Sequence, residues 1–160
     1  MSTLKMGTTT LATENAGSIA INNEVNFPAG HIIQTHFNEI EASAPVIVNN
    51  TTTIGTLNIE FNRIKPNSHF LIRISSLVYR PSTSAACFLG YRISVNGITV
   101  QTKERYVKDD NSWSTCDAMF KDTTTGSANN TVKIETLYRN SASNDNQFDY
   151  PTILVQELAV

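Results

Sequence analysis

The sequence predicts an all-β fold, an antiparallel β-sandwich of jelly-roll type, and three observations carry that prediction. From Phe27 onward apolar residues recur with a period of two. Turn-forming residues punctuate the chain at short intervals, and no segment has the spacing of an amphipathic helix. About eight strands in about 130 residues suit a sandwich, and the internal repeat of a solenoid or propeller is missing.

Each element follows in order. Residues 1–26, MSTLKMGTTTLATENAGSIAINNEVN, are small and polar, with isolated apolar residues at Leu4, Met6, Leu11, Ile19, Ile21 and Val25. These are too few to bury a core and too β-prone for a simple linker, so an extended arm that orders against something else is expected. The domain proper, 27–160, opens with GHIIQTHFNEI and APVIVNN, both compatible with strands, although HFNEIEAS could also make a helical turn. In TLNIEFNRI, Leu57, Ile59 and Phe61 share one face, and Asn58, Glu60 and Asn62 the other. KPNS at 65–68 turns the chain. FLIRISSLVY then points Phe70, Ile72, Ile74 and Val78 inward and Arg73 and Ser75 outward, so a hairpin-like unit is expected.

FLGYRISVNGITV places Leu89, Tyr91, Ile93 and Val95 on one face before Asn96-Gly97, the pair best suited to a type I′ turn, with Ile98 and Val100 on the return strand. After the turn DDNS, WSTCDAMF brings Cys116, Ala118 and Phe120 together. Beyond the loop DTTTGSANN, TVKIETLYRN sets Val132, Ile134 and Tyr138 inward against Lys133, Glu135 and Arg139. The last strand is YPTILVQELAV, where Pro151 is expected to hold Tyr150 extended. Ile153, Val155 and Glu157 share one of its faces, Leu154 and Leu158 the other. Apolar residues on both faces predict the core behind and a second subunit in front, and a threefold interface is expected at Ile153, Val155, Leu158 and Gln34.

Composition narrows the function. Charged residues make up 16% of the chain, while Thr, Asn and Ser make up about a third, which gives a hydroxyl and amide surface. A net charge of -2 with scattered basic residues excludes the clustered cationic surface that nucleic acid requires. No apolar run is long enough to span a membrane, and MSTLKMGTTT lacks the apolar core of a signal peptide, so synthesis and assembly in a cytoplasm are expected. Cys87 and Cys116 lie in no metal or redox motif; a disulfide is possible, but two reduced, partly buried thiols are favoured.

Catalytic constellations are missing. His31, His36 and His69 form no HxH pair, and the spacing of His31 and His36 puts them on opposite faces of a strand, so no metal or other cofactor is expected. Glu39, Glu41, Glu60, Asp117, Glu135 and Asp149 could meet in space as a glycosidase pair, but each occupies an ordinary polar slot. No GxSxG or phosphate loop is present. A non-enzymatic protein is therefore expected. Among the aromatics, Tyr91 and Tyr138 read as core, whereas Tyr106 and Trp113, flanking the DDNS turn, could form a surface that binds a glycan or a protein.

The order of segments resembles a family of virion structural proteins of tailed phages, especially marine and cyanobacterial ones. It rests on MSTLK, NFPAGHIIQT, LNIEFNRIKPNSHFLIRIS, FLGYRISVNG, VKIETLYRN and TILVQELAV, and covers residues 27–160, with a looser match in the arm. Gln34, Arg73 and Glu157 match well, while the ending LAV departs from the family's IA or IAG. The resemblance implies a trimeric sandwich shaped like tumour-necrosis-factor domains, displayed on a capsid or a tail fibre, with no catalytic residues. The resulting expectation is a homotrimeric capsid-decorating (cement) protein of the virion, held on the major capsid protein or another virion protein by the arm at Leu4, Met6, Leu11, Ile19 and Ile21. The alternative is a tail-fibre or baseplate head that recognises a host surface glycan. The short chain without a fibre shaft favours decoration.

Overall fold

The computed structural model describes the backbone of residues 2–6, 9–15, 18–21, 28–40, 46–48, 52–79, 86–108, 113–141 and 146–160. All regular elements among them are strands. β1 (Ser2–Met6), β2 (Thr9–Asn15) and β3 (Ser18–Ile21) pair antiparallel as a three-stranded sheet of their own. The extended arm expected there is thus a meander. Alternating Thr with Leu, Ala and Ile favours strands, and pairing within the segment satisfies its backbone groups locally.

The domain is a sandwich of nine described strands. These are β4 (Ile32–Glu39), β5 (Val46–Val48), β6 (Thr52–Asn62), β7 (His69–Tyr79), β8 (Cys87–Val95), β9 (Ile98–Lys108), β10 (Trp113–Asp122), β11 (Thr131–Asn140) and β12 (Asn146–Leu158). One sheet has the order β10-β7-β12-β4, with β5 also on β12; the other has the order β6-β11-β8-β9. Every pairing is antiparallel. The chain passes back and forth between the two sheets, which is the jelly-roll arrangement.

That topology corrects one expectation. β6 and β7 are not a hairpin; they lie in opposite sheets, and residues 63–68 carry the chain across. Alternation reports which face of a strand is buried and not which strand lies beside it. Among consecutive strands of the sandwich, β8 and β9 do form a hairpin, through Asn96 (φ 49°) and Gly97 (φ 80°), as the sequence predicts. The HFNEI segment is strand β4, with no helical turn.

The inward sets are those that alternation predicts, except that Val95, at the end of β8, is only half-buried. Leu57, Ile59, Phe61, Phe70, Ile72, Ile74, Val78, Leu89, Tyr91, Ile93, Val132, Ile134 and Tyr138 are buried. Cys116, Ala118 and Phe120 close the core from β10, and Cys87 and Cys116 are buried and not joined in a disulfide. β12 departs from its expected course. Tyr150 has φ 45°, and the register on β7 shifts between Asp149 and Thr152, so the strand runs through Pro151 as a bulge. Asp149 stabilises the kink by accepting the Tyr150 N–H at 2.9 Å, and its carbonyl accepts the buried Ser76 hydroxyl at 2.9 Å.

Candidate functional site

Three features of the sandwich bear on function: a buried polar seam and the two outer sheet faces. The seam is built on Glu157, which is fully buried near the end of β12. Its carboxylate accepts the Ser68 hydroxyl at 2.6 Å, the Lys65 N–H at 3.0 Å, the Ile64 N–H at 3.1 Å and the Gln34 amide. Gln34 also donates to the Asn62 carbonyl at 3.0 Å. Because its nitrogen is a donor there, its oxygen accepts from His36 Nε2 at 2.9 Å, which places the His36 proton on Nε2. His36 stacks on Phe61 with centroids 4.4 Å apart, and burial pushes its pKa down against the opposing pull of Glu157.

Arg63, also fully buried, extends the seam. It donates to the carbonyls of Thr124 at 2.8 Å and Gly126 at 3.3 Å and lies 4.8 Å over Phe70. The buried Asp122 accepts the Tyr91 hydroxyl and the Thr124 N–H, the latter at 2.8 Å. Burial and then this carboxylate push the Tyr91 pKa strongly upward. The seam ties the loop between β6 and β7 to β12, β4 and the 122–130 loop.

The outer face of the five-stranded sheet carries exposed apolar side chains among polar ones. Register sets Phe37, Leu154, Arg73 and Met119 side by side across four strands; the next row is Thr35, Gln156, Leu71 and Lys121, and Ile32 lies beside Leu158 in the row after that. Phe37 is 59% exposed, Met119 49% and Ile32 46%, while Leu71, Leu154 and Leu158 are half-buried. Arg73 pairs with Asp117 at 3.4 Å on the same face, where both are exposed.

The outer face of the four-stranded sheet is polar. Glu135, nearly buried, accepts Arg92 Nε at 2.7 Å and Nη2 at 2.6 Å on one oxygen and Lys133 Nζ at 2.9 Å on the other. Burial raises its pKa, but Lys133 and Arg92 outweigh that and hold it below the ordinary carboxylate value. Beside this cluster lies a groove of about 590 Å³, bounded by Glu60, Ser94, Asn96, Thr99 and Thr131. Further along the same face Arg139 donates to Glu104 at 2.8 Å and sits 3.7 Å over the Phe88 ring, which meets Tyr106 edge-on at 5.8 Å.

The predicted residues are placed as follows. Ile153 and Val155 are fully buried in the protomer's own core, so they do not face a second subunit. Glu157 shares their face because the seam satisfies it inside, which inverts the usual rule that a charge marks the solvent side. Of the expected interface residues, Leu158 lies on the outer face of the five-stranded sheet and Gln34 in the seam. Tyr106 is 46% exposed, whereas Tyr91 and Tyr138 are core. Trp113 opens β10 opposite Tyr79, and its side chain lies outside the described residues. Leu4, Met6, Leu11, Ile19 and Ile21 sit on β1–β3, with side chains likewise outside them. Phe37 and Met119 were missed because each is a lone apolar residue in a polar strand face, and only strand order brings them together.

No protein-family model matches the chain, and no curated protein does. Solved structures do. A protein of the T13 viral particle of IBDV is similar over 89% of this chain, with 8% identity and a TM-score of 0.52. The VP2 subviral particle of infectious bursal disease virus gives 14% identity over 89% and a TM-score of 0.47. The TNF protein Eiger of S. frugiperda gives 9% over 71% and 0.35, with 90% of that chain covered. The chain spans 34% and 36% of the two viral proteins. At these identities the likeness is one of fold alone.

Proposed function

We propose that this chain is a non-enzymatic structural protein of a virus particle, a homotrimer that decorates the capsid of a tailed phage and attaches through residues 1–26. The observation that carries this reading is the outer face of the five-stranded sheet. A solvated antiparallel sheet face is normally polar, so exposed Phe37, Met119 and Ile32, with half-buried Leu71, Leu154 and Leu158 among them, mark an association surface. A second copy of the chain is the proposed occupant; in a threefold ring the face meets a different surface of its neighbour, to which exposed Arg73 and Asp117 offer both signs of charge. The buried carboxylates support the non-enzymatic part, since Glu157 and Asp122 in the seam and Glu135 on the polar sheet face are engaged in holding loops and strands. The fold shared with the IBDV particle protein is compatible with a capsid role, and the order of sequence motifs supplies the phage assignment.

Light scattering at micromolar concentration tests the assembly. The expected mass is three times the 17.6 kDa of the chain, and a monomer overturns the reading. Deleting residues 1–26 is expected to leave a trimer that no longer binds particles; continued binding overturns anchoring by that segment. Antibody labelling of intact particles is expected on the head, and labelling confined to the tail replaces decoration with a fibre role.

A further inference from the structure

The groove on the four-stranded sheet takes no part in the assembly proposed above, which uses the opposite face of the sandwich. Its shape follows from how its residues engage one another. Arg92 and Lys133 are both drawn onto Glu135, which keeps their long side chains from filling the space above the sheet. Ser94, Gly97, Thr99 and Thr131 are small, so the floor beside them is low. Asn96 is fixed as a wall, accepting the Thr131 N–H at 3.0 Å and donating to Asn130 at 3.3 Å. The resulting volume of about 590 Å³ is that of a small-ligand site.

Its chemistry selects the ligand class. Glu60 and Glu135 balance Arg92 and Lys133, so the groove offers an anion such as phosphate no net attraction. Among the described residues no aromatic or large aliphatic side chain lines it, so an apolar molecule would gain little. What it presents is a dense set of hydroxyls, an amide, carboxylates and a guanidinium, with the charged members held in place before any ligand arrives. A surface of closely spaced donors and acceptors is complementary to a molecule built the same way.

We propose that this groove is a binding site for a neutral saccharide. Glu60 accepts from ligand hydroxyls, and Arg92 and Lys133 donate to ligand oxygens while keeping their bonds to Glu135. The hydroxyls of Thr99 and Thr131 bind along the floor. Tyr106, paired with Phe88 on the same sheet face four residues along β8 from Arg92, offers an apolar platform to a longer chain.

The test is a titration of the ¹⁵N-labelled full chain with lactose, maltotriose and cellotriose, followed by TROSY NMR, with inorganic phosphate as control. For at least one sugar, saturable shifts are expected at residues 92–99 and 131–135, with a dissociation constant on the order of 1 mM. Glu60→Gln is expected to weaken binding about tenfold. Thr99→Trp, at an exposed edge-strand position, is expected to abolish it with the rest of the spectrum unchanged. Absence of groove shifts at about 20 mM of every sugar overturns the proposal. So do shifts that Thr99→Trp leaves intact, or a groove that responds to phosphate alone. Oligomeric state is measured on the same sample, so a failed assembly is distinguishable from a failed groove.

Discussion

Glu157 is fully buried at the centre of four donors, two of them backbone N–H groups of the loop that carries the chain from one sheet to the other. Glu157→Gln turns an amide nitrogen toward at least one of those donors, and Glu157→Ala leaves them all unpaired. Losses of about 2 and about 4 kcal/mol are expected, read as urea midpoints, with the crossing loop the first region to exchange its amides. Two other groups set the acid response. The His36 pKa is lowered mainly by burial, so its neutral form stabilises the fold above the ordinary value of 6.5, and that contribution is lost as pH falls through the lowered value. The Glu135 pKa is also lowered, because Lys133 and Arg92 outweigh burial, so its contribution is present at neutral pH and disappears in the acid range. Stability is therefore expected to be flat from about pH 7 to about pH 9, above which the raised pKa values of buried Tyr91 and Tyr138 make it fall, and to decline in two stages below about pH 7. His36→Gln is expected to remove the first stage alone; an unchanged profile in that variant would show that His36 does not set it.

Two glycines of the β8–β9 hairpin separate backbone strain from steric clash. Gly97 has φ 80° with open space around it, so Gly97→Ala is expected to cost about 1–2 kcal/mol through conformation alone. Gly90 faces the β9 backbone: an added Cβ would lie 2.2 Å from the Lys103 carbonyl oxygen and 2.8 Å from Glu104 Cα. Neither atom can swing aside, so Gly90→Val is expected to cost about 3 kcal/mol and to loosen β9, seen as faster amide exchange over Ile98–Lys108. A Gly90→Val midpoint no lower than that of Gly97→Ala would refute the clash. The contrast also marks what the sequence could tell. Facing was legible, because period two records it, and so was the Asn96-Gly97 turn, because backbone chemistry dictates it. Strand partners were not: β6 and β7 read as a hairpin although they lie in opposite sheets. In β12 both alternating sets are apolar, so alternation alone could not say that Ile153 faces the core and Leu154 the outside. Pro151 suggested an extended Tyr150, but the bulge takes that residue to positive φ instead. The groove was hidden for a related reason, since Arg92 and Glu135 lie 43 residues apart and meet only through the β8–β11 register.

The two outer faces of the sandwich differ: Phe37, Met119 and Ile32 are exposed on one, and the other is built around the Arg92–Glu135–Lys133 cluster. If the face that carries Phe37 is covered by other copies, association and folding are linked by mass action, and the melting temperature must depend on protein concentration. For a trimer of chains this size, a tenfold rise in concentration is expected to raise the midpoint by about 2–4 °C. Phe37 suits the perturbation because it is 59% exposed in the protomer, so Phe37→Glu removes little from the fold of a single chain. In an assembly it would bury a carboxylate against Leu154 and its neighbours. The variant is expected to melt at one temperature whatever its concentration, at the value the wild type approaches on dilution. Apolar contact further predicts that the wild-type dependence persists at high salt, where an interface resting on Arg73 and Asp117 alone would weaken. A wild-type midpoint that stays constant over a hundredfold range of concentration would mean that this face is solvated and that its leucines are covered by nothing but water.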